Sequence, residues 1–325
     1  MSQVCYPRGI DKSTGRLILP DAMDARLFTP LPDTHRRRIA DDYVAWARRR
    51  DGEPDVRTRR LAGREAFFRD WDARAKPEWT GERIDPERFR RLHSGAEPCR
   101  DVSPFVYWLV QVSRANEGEA WGVDYLLSRG GFDGLGGKDG RLHPRDFADL
   151  EEVYHTEVMH RVCRLFGVDF ELRVPPATVR QSVKLMSVLP QQASYMLLLA
   201  GELMGTVAFG MMAERGDRLL ADHPVHQRLV RDLFDEIMVD EIGHVTFLLG
   251  SMRGWQLATI RGLAKAYMGL GRLSYLRESH RDTKTAFARI DDYSLAQFPE
   301  RVLRRAFVPA PYWPGEVGPP PELAA

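Results

Sequence analysis

RDLFDEIMVDEIGHVTFLLG, residues 231–250, decides how the rest of the chain is read. Counted from Glu241, the residues one and two helical turns away are Phe234, Ile237, Met238, Val245 and Leu248. An acid therefore sits on the apolar stripe of a long helix, with His244 one turn further along the same face. A buried carboxylate is costly unless it is paired or binds a metal. Glu-x-x-His at this spacing aims an oxygen donor and an imidazole at one point.

The same spacing appears upstream. In ADLEEVYHTEVMHRVCRLFG, Glu157 and His160 repeat it, and Leu150, Val153 and Tyr154 share the face of Glu157. His155 lies off that face and reads as structural. One Glu-x-x-His is weak; two on long helices are a pattern. Between them, SYMLLLAGELMGTVAFGMM (residues 194–212) carries one charged residue, Glu202, with nothing local to neutralise it. This stretch is long enough to span a bilayer, but the central acid favours a core helix. The first periodic segment, from Ser103 to Arg129, offers Glu119 and Glu117. Glu119 has the more apolar face (Val112, Ala115, Val123, Leu126) and is the one chosen.

Four helical segments, at about 103–129, 144–167, 175–214 (broken at Pro190) and 224–252, thus present Glu119, Glu157 with His160, Glu202, and Glu241 with His244. One Glu from each of two helices and Glu-x-x-His from the other two form the donor set of a dimetal site in a four-helix bundle. Four carboxylates offset two divalent ions, and two imidazoles complete the set. Oxygen and nitrogen donors suit two iron ions, with manganese the alternative. The competing reading is a bundle whose buried acids pair with arginines such as Arg114, Arg161 and Arg164.

On Glu119, Glu157-Val-Met-His160, Glu202 and Asp240-Glu241-Ile-Gly-His244, the chain resembles the ferritin-like di-iron carboxylate superfamily over residues 103–252. The resemblance implies an all-α, ferritin-like four-helix bundle with additional N- and C-terminal helices. It also implies an O₂-activating centre with O₂ as co-substrate. Asp240 matches the family's Asp that supports a metal-bound histidine; Thr156, before Glu157, departs from that pattern. Thr206 is similar to the threonine of the bacterial hydroxylases, which assigns it proton delivery; the competing reading is a helix-packing residue that bonds its own backbone. Ile237 stands where arylamine N-oxygenases carry a further histidine. The expected function is a non-haem di-iron monooxygenase that hydroxylates or N-oxygenates a small organic substrate in specialised metabolism. The alternatives are a desaturase-type oxidase, or an iron- or oxidant-handling protein without an organic substrate. No flavin, nicotinamide or iron–sulfur motif is seen, so an external donor (a reductase or ferredoxin) is expected; a homodimer is compatible with this reading.

Composition sets the outer bounds. The chain has 325 residues, 43% hydrophobic and 29% charged, with net charge +1, so collagen-like and disordered classes are excluded and no global field steers it to nucleic acid. Cys5, Cys99 and Cys163 form neither a zinc spacing nor a disulfide framework, which with the absence of an apolar leader points to the cytoplasm and no membrane segment. Residues 1–102 read as a polar, partly helical extension, with helices near 33–50, 58–74 and 86–92 docked through Trp46, Phe67, Phe68, Trp71 and Phe89. The arginine runs at 36–38 and 48–50 have acidic neighbours and read as solvated faces. His223 and His226 read as a cap and a surface residue. Glycine-rich 129–143 is a loop, residues 253–307 add helices at about 255–279 and 283–307, and 308–325 is a proline-rich tail.

Overall fold

Proline sets where the helices begin. In the computed structural model, which describes residues 9–11, 16–18, 27–55, 58, 60–128, 141–260, 262–263, 266, 285–286, 288–290 and 292–313, α1 (Asp33–Asp51) follows Pro32, and α2 spans Ala62–Arg74. Proline also occupies the first turn of α3 (Pro86–Ser94), α4 (Pro104–Arg114) and α6 (Pro144–Leu165), where a missing N–H costs nothing. α5 covers Glu117–Ser128. Pro176 and Pro190 precede α7 (Ala177–Val188) and α8 (Gln191–Leu219), and Pro224 opens α9 (Pro224–Ser251). α10 is a single turn, Glu300–Leu303. The described residues are mostly helical. The strands among the described residues are two short antiparallel pairs, Gly9–Asp11 with Arg16–Ile18 and Pro54–Asp55 with Arg60–Leu61.

Four helical segments close a ring. α4 and α5 pack on α6, α6 on α9, α9 on α8, and α8 on α4. α8 and α9 are joined by a four-residue connection, 220–223, and make the most extensive contact among the described residues. The passage from α6 to α8 is long: extended chain from 168 to 176 and then α7, which packs on both α5 and α8. Val179 and Val183 of α7 lie against Gly118 and Gly122 of α5, where added methyl groups would sit 3.1 and 3.5 Å away. α8 is long and apolar enough to cross a bilayer by length and composition. Its Leu199, Ala200, Leu203, Val207 and Phe209 are buried.

The first segment is two helices, not one. α4 ends at Arg114 and α5 starts at Glu117, with Asn116 between them. The Asn116 amide donates to the Glu152 carbonyl at 3.2 Å and to Thr156 Oγ1 at 2.8 Å, which ties the break to α6. Glu117 is buried and held by Arg173 Nε and Nη2 at 2.6 and 2.9 Å. Its replacement by Ala is expected to lower stability by about 1.5–3 kcal/mol, the usual worth of charge-assisted hydrogen bonds, without changing metal content. Urea denaturation and elemental analysis check the two halves of that statement.

One apolar core spans the ring and the N-terminal helices, and Tyr43, Trp46, Phe68, Trp71 and Phe89 are among its buried members. Phe67 is partly buried against it. Two expectations for the C-terminal region change, and a third falls partly outside the described residues. Helix after α9 is described at 254–260, 262–263 and 266, and 267–279 lies outside the described residues, as does the glycine-rich 129–140. The stretch 283–307 is not one helix. The Ser294 side chain accepts from Ala296 N to start a 3₁₀ turn at Leu295–Gln297, and Pro299 then restarts the helix as α10. Within the expected tail, Val308, Tyr312 and Trp313 are buried, with Trp313 Nε1 donating to the Val308 carbonyl at 2.9 Å. Residues 314–325 lie outside the described residues.

Candidate metal centre

Six side chains converge inside the ring: Glu119 from α5, Glu152 and His155 from α6, Glu202 from α8, and Glu241 and His244 from α9. Ligand-capable atoms of Glu119, Glu152 and His155 lie within 4.8 Å of one another, and so do those of Glu152, Glu202 and His244. Glu152 belongs to both groups. His155 Nδ1 is 3.0 Å from Glu152 Oε2 and 3.6 Å from Glu241 Oε1. His244 Nδ1 is 3.2 Å from Glu202 Oε2 and 3.4 Å from Glu152 Oε1. The two imidazole centroids are 6.4 Å apart.

This corrects one helix of the expected set. Glu119, Glu202, Glu241 and His244 are brought together, but Glu157 and His160 are not. The Glu157 side chain is 52% exposed and accepts from Arg161 Nη1 at 2.8 Å, the arginine pairing anticipated as the competing reading. His160 bonds Asp169 Oδ1 at 2.8 Å and stacks on Phe170. The residues on α6 that do face the cluster, Glu152-Val-Tyr-His155, have the same spacing five positions earlier. His155, read as structural, is one of the six. The choice failed because the stripe of Glu157 runs through Val153, which is 43% exposed. The stripe of Glu152 carries Asp149, His155 and Thr156 and so reads as polar, although His155 on it faces the site. A better signal was present: an acid precedes the glutamate in Glu151-Glu152-Val-Tyr-His155 as it does in Asp240-Glu241-Ile-Gly-His244.

Those preceding acids are exchanged between helices. Asp240 of α9 bonds Nε2 of His155 on α6 at 3.0 Å, and Glu151 of α6 bonds Nε2 of His244 on α9 at 2.8 Å. A carboxylate accepts, so each imidazole carries a proton on Nε2 and turns Nδ1 inward, the nitrogen that would bind metal once its own proton is lost. Asp240 thus bonds a histidine of the cluster, the one on the other helix.

The N-terminal helices supply the counter-charge. Arg64 of α2 is buried and bonds Asp240 and, at 3.1 Å, Glu236, with its Nε 3.1 Å from Asp51. Arg50 of α1 bonds Asp240 and, at 2.9 Å, Glu236, and Arg305 bonds Glu236 as well. The run at 48–50 is therefore not wholly a solvated face: Arg48 and Arg49 are exposed or nearly so, while Arg50 points inward. Burial pushes Asp51 up to about 6, although Arg64 and Arg50 oppose it. Burial works against Asp240 too, but the two arginines and His155 hold it well below the carboxylate range. Tyr43 donates to Glu151 at 3.0 Å, completing the support of His244. His223 places no side-chain hydrogen bond at the start of α9, and His226 is buried; both rings surround Trp79.

Do these residues fit a pair of cations? Among the described residues, Glu119 Oε2, Glu152 Oε2, Glu241 Oε1 and His155 Nδ1 are all buried without a hydrogen-bond partner. Burial, then repulsion from Glu152 and Glu202, pushes Glu119 far above the usual range. Burial, then Glu202, Glu152 and Glu119, does the same to Glu241. Burial also raises Glu202, against the pull of His244. Burial disfavours charge on both imidazoles, yet the surrounding carboxylates raise them well above their ordinary value. Four clustered carboxylates, three of them with an orphaned oxygen, and two imidazoles with Nδ1 turned inward fit two divalent ions that displace the imidazole protons. The backbone makes room as well: a Cβ on Gly205 would sit 2.9 Å from Glu241 Oε2. Gly205→Ala is expected to weaken metal binding about 10–100-fold, the range for disturbing a ligand's support, measured by competition with a chromophoric chelator.

Comparison with protein-family models, with curated proteins and with solved structures finds no match for this chain.

Proposed function

We propose that the protein is a ferritin-like, non-haem di-iron oxygenase that uses O₂ to oxidise a small organic substrate. The observation that carries this is the convergence of Glu119, Glu152, His155, Glu202, Glu241 and His244 with four of their buried donor atoms unsatisfied. Glu119 and His155 would hold one ion, Glu202 and His244 the other, with Glu152 shared between them and Glu241 beside His155. When bound, two ferrous ions supply electrons for reductive activation of O₂.

The chain's own residues do the rest. Asp240 and Glu151 keep the two imidazoles in the tautomer that binds metal, and Arg50 and Arg64 keep Asp240 ionised. Thr206 Oγ1 donates to the Glu202 carbonyl at 2.6 Å and lies 3.4 Å from Glu241 Oε2. The hydroxyl is thus bonded to its own helix backbone and lies beside Glu241, where the delivery role expected of it would be exercised. Leu203, Val207, Phe209, Phe234 and Ile237 are buried on the same helices and exclude water from a site where a reactive oxidant would otherwise be quenched.

The test is anaerobic loading with ferrous iron, then O₂ with a panel of small organic substrates. The expected result is about two irons per chain and an oxygenated organic product. Iron that is oxidised without any organic product places the protein among iron handlers; no stoichiometric metal removes the reading altogether. Loading should also follow pH. Glu119, Glu241 and both histidines hold protons at higher pH when metal-free than they do in an unfolded chain. Metal must displace those protons, so ferrous affinity is expected to rise with pH from the ordinary carboxylate range, about 4, to beyond the ordinary imidazole value of about 6.5. Calorimetric titration at several pH values reads both the affinity and the protons released.

A further inference from the structure

The six clustered side chains and their two supporting acids are not covered equally. Those of Glu151, Glu241 and Asp240 are fully buried, His155 is 1% exposed and His244 3%. Glu152 and Glu202 keep 10% and 11% of their side-chain surface. A carboxylate inside a ring of buried groups keeps such area only where a molecule can lie against it.

That room coincides with the loosest edge of the ring. Along the first segment, α4 packs on α8, but α5 makes no comparable contact with it, although Glu119 and Glu202 project from these two helices into one centre. α7 bridges the edge and packs on both, with Val183 buried against Gly122 of α5.

α8 presents little bulk at this edge. Gly201, the residue before Glu202, is partly exposed, and a Cβ on it would meet no described atom within 4 Å. At Gly205, one turn on, a Cβ would press on Glu241. The helix is thus tight toward α9 and open at Gly201. Glycine is a poor residue for a helix interior, so the helix itself does not ask for one there. Leu198, one turn before both Gly201 and Glu202, is partly buried. The wall is apolar: from Ser194 to Met212, Glu202 is the one charged residue.

We propose that the edge between α5 and α8 is the binding site for the organic substrate, with Gly201 and Leu198 setting the size it admits. The substrate class is a small molecule with an apolar body, which lies along α8, and one polar end, which meets Glu152 and Glu202. This names the substrate class of the dimetal centre and rests on that reading.

Phenol is the probe, titrated into full-length protein loaded with ferric iron and followed by its charge-transfer absorption, with azide as the smaller comparison. Gly201→Leu is expected to keep the metal content and azide affinity of the native chain. It should bind phenol at least about tenfold more weakly, the low end of what one misplaced methylene costs in an apolar pocket. Leu198→Ala should shift preference the other way, toward the bulkier naphthol. The metal-free Gly201→Leu protein should melt no lower than native, since leucine suits a helix and meets open space. Equal phenol affinity in fully loaded native and Gly201→Leu proteins overturns this proposal and leaves the dimetal reading standing. So does a loaded native chain that binds azide but not phenol, or an unchanged preference in Leu198→Ala. A Gly201→Leu chain that melts lower or loses metal overturns it too, because the position would then be packed. A native chain that takes up no metal overturns both.

Discussion

Glu152→Ala should empty the centre, while Glu157→Ala should leave it full. Glu152 is the residue common to both three-residue groups, so its loss removes an oxygen donor from each ion at once. Loss of Glu119 or Glu202 takes a donor from only one group. The Glu152→Ala chain is expected to fall from about two metals to well under one per chain at concentrations that saturate the native protein. Glu157 gives the internal control: same residue type, same helix, same Glu-x-x-His spacing, but exposed and paired with Arg161. Metal analysis of the two variants side by side decides the matter. Equal metal content in both would mean that Glu152 is no ligand.

Arg64→Ala should be the most destabilising single change in the N-terminal region. Its guanidinium is the buried hub for Asp240, Glu236 and Asp51, and its Nη2 lies 3.9 Å from Glu151 Oε1. Truncating it leaves several acids facing one another with Arg50 as the main remaining cation. Breaking a buried charge network by removing one partner costs about 3–5 kcal/mol, and urea denaturation of the metal-free protein should show a loss of that order. A second readout separates support of the site from mere packing. Asp240 aims His155, so the Arg64→Ala chain should also bind metal more weakly after refolding, whereas Glu117→Ala should not. A variant as stable as the native chain would show that Arg50 and Arg305 suffice without it.

How much of this could be read from the chain alone follows from what each residue touches. The helical starts were legible because proline acts locally, and Glu202 stood out because an isolated acid in a long apolar run has no local partner. Glu241, His244 and Asp240 were legible because on α9 the stripe of Glu241 is apolar as well as metal-facing. On α6 the same criterion misled. The inward face there is polar where it meets the site, so an apolar stripe marked the wrong Glu-x-x-His. Arg50 and Arg64 were hidden for a different reason: their partners Glu236 and Asp240 lie more than 170 residues away in sequence. Local charge pattern, with acids next to the arginine run, gave no sign of that pairing. The break between α4 and α5 depends on an Asn116 contact to α6, again invisible to periodicity.

The crossed support of the two histidines also bears on how such a chain can change over time. Each imidazole is aimed by an acid encoded in the other motif, some 85 residues away for His155 and 93 for His244. A recombination breakpoint anywhere between them would join a histidine to a stranger's carboxylate, and both would have to match by chance. The two motifs are therefore a single heritable unit despite the long stretch of chain between them. Shuffled descendants would keep the centre only by receiving both motifs from the same parent.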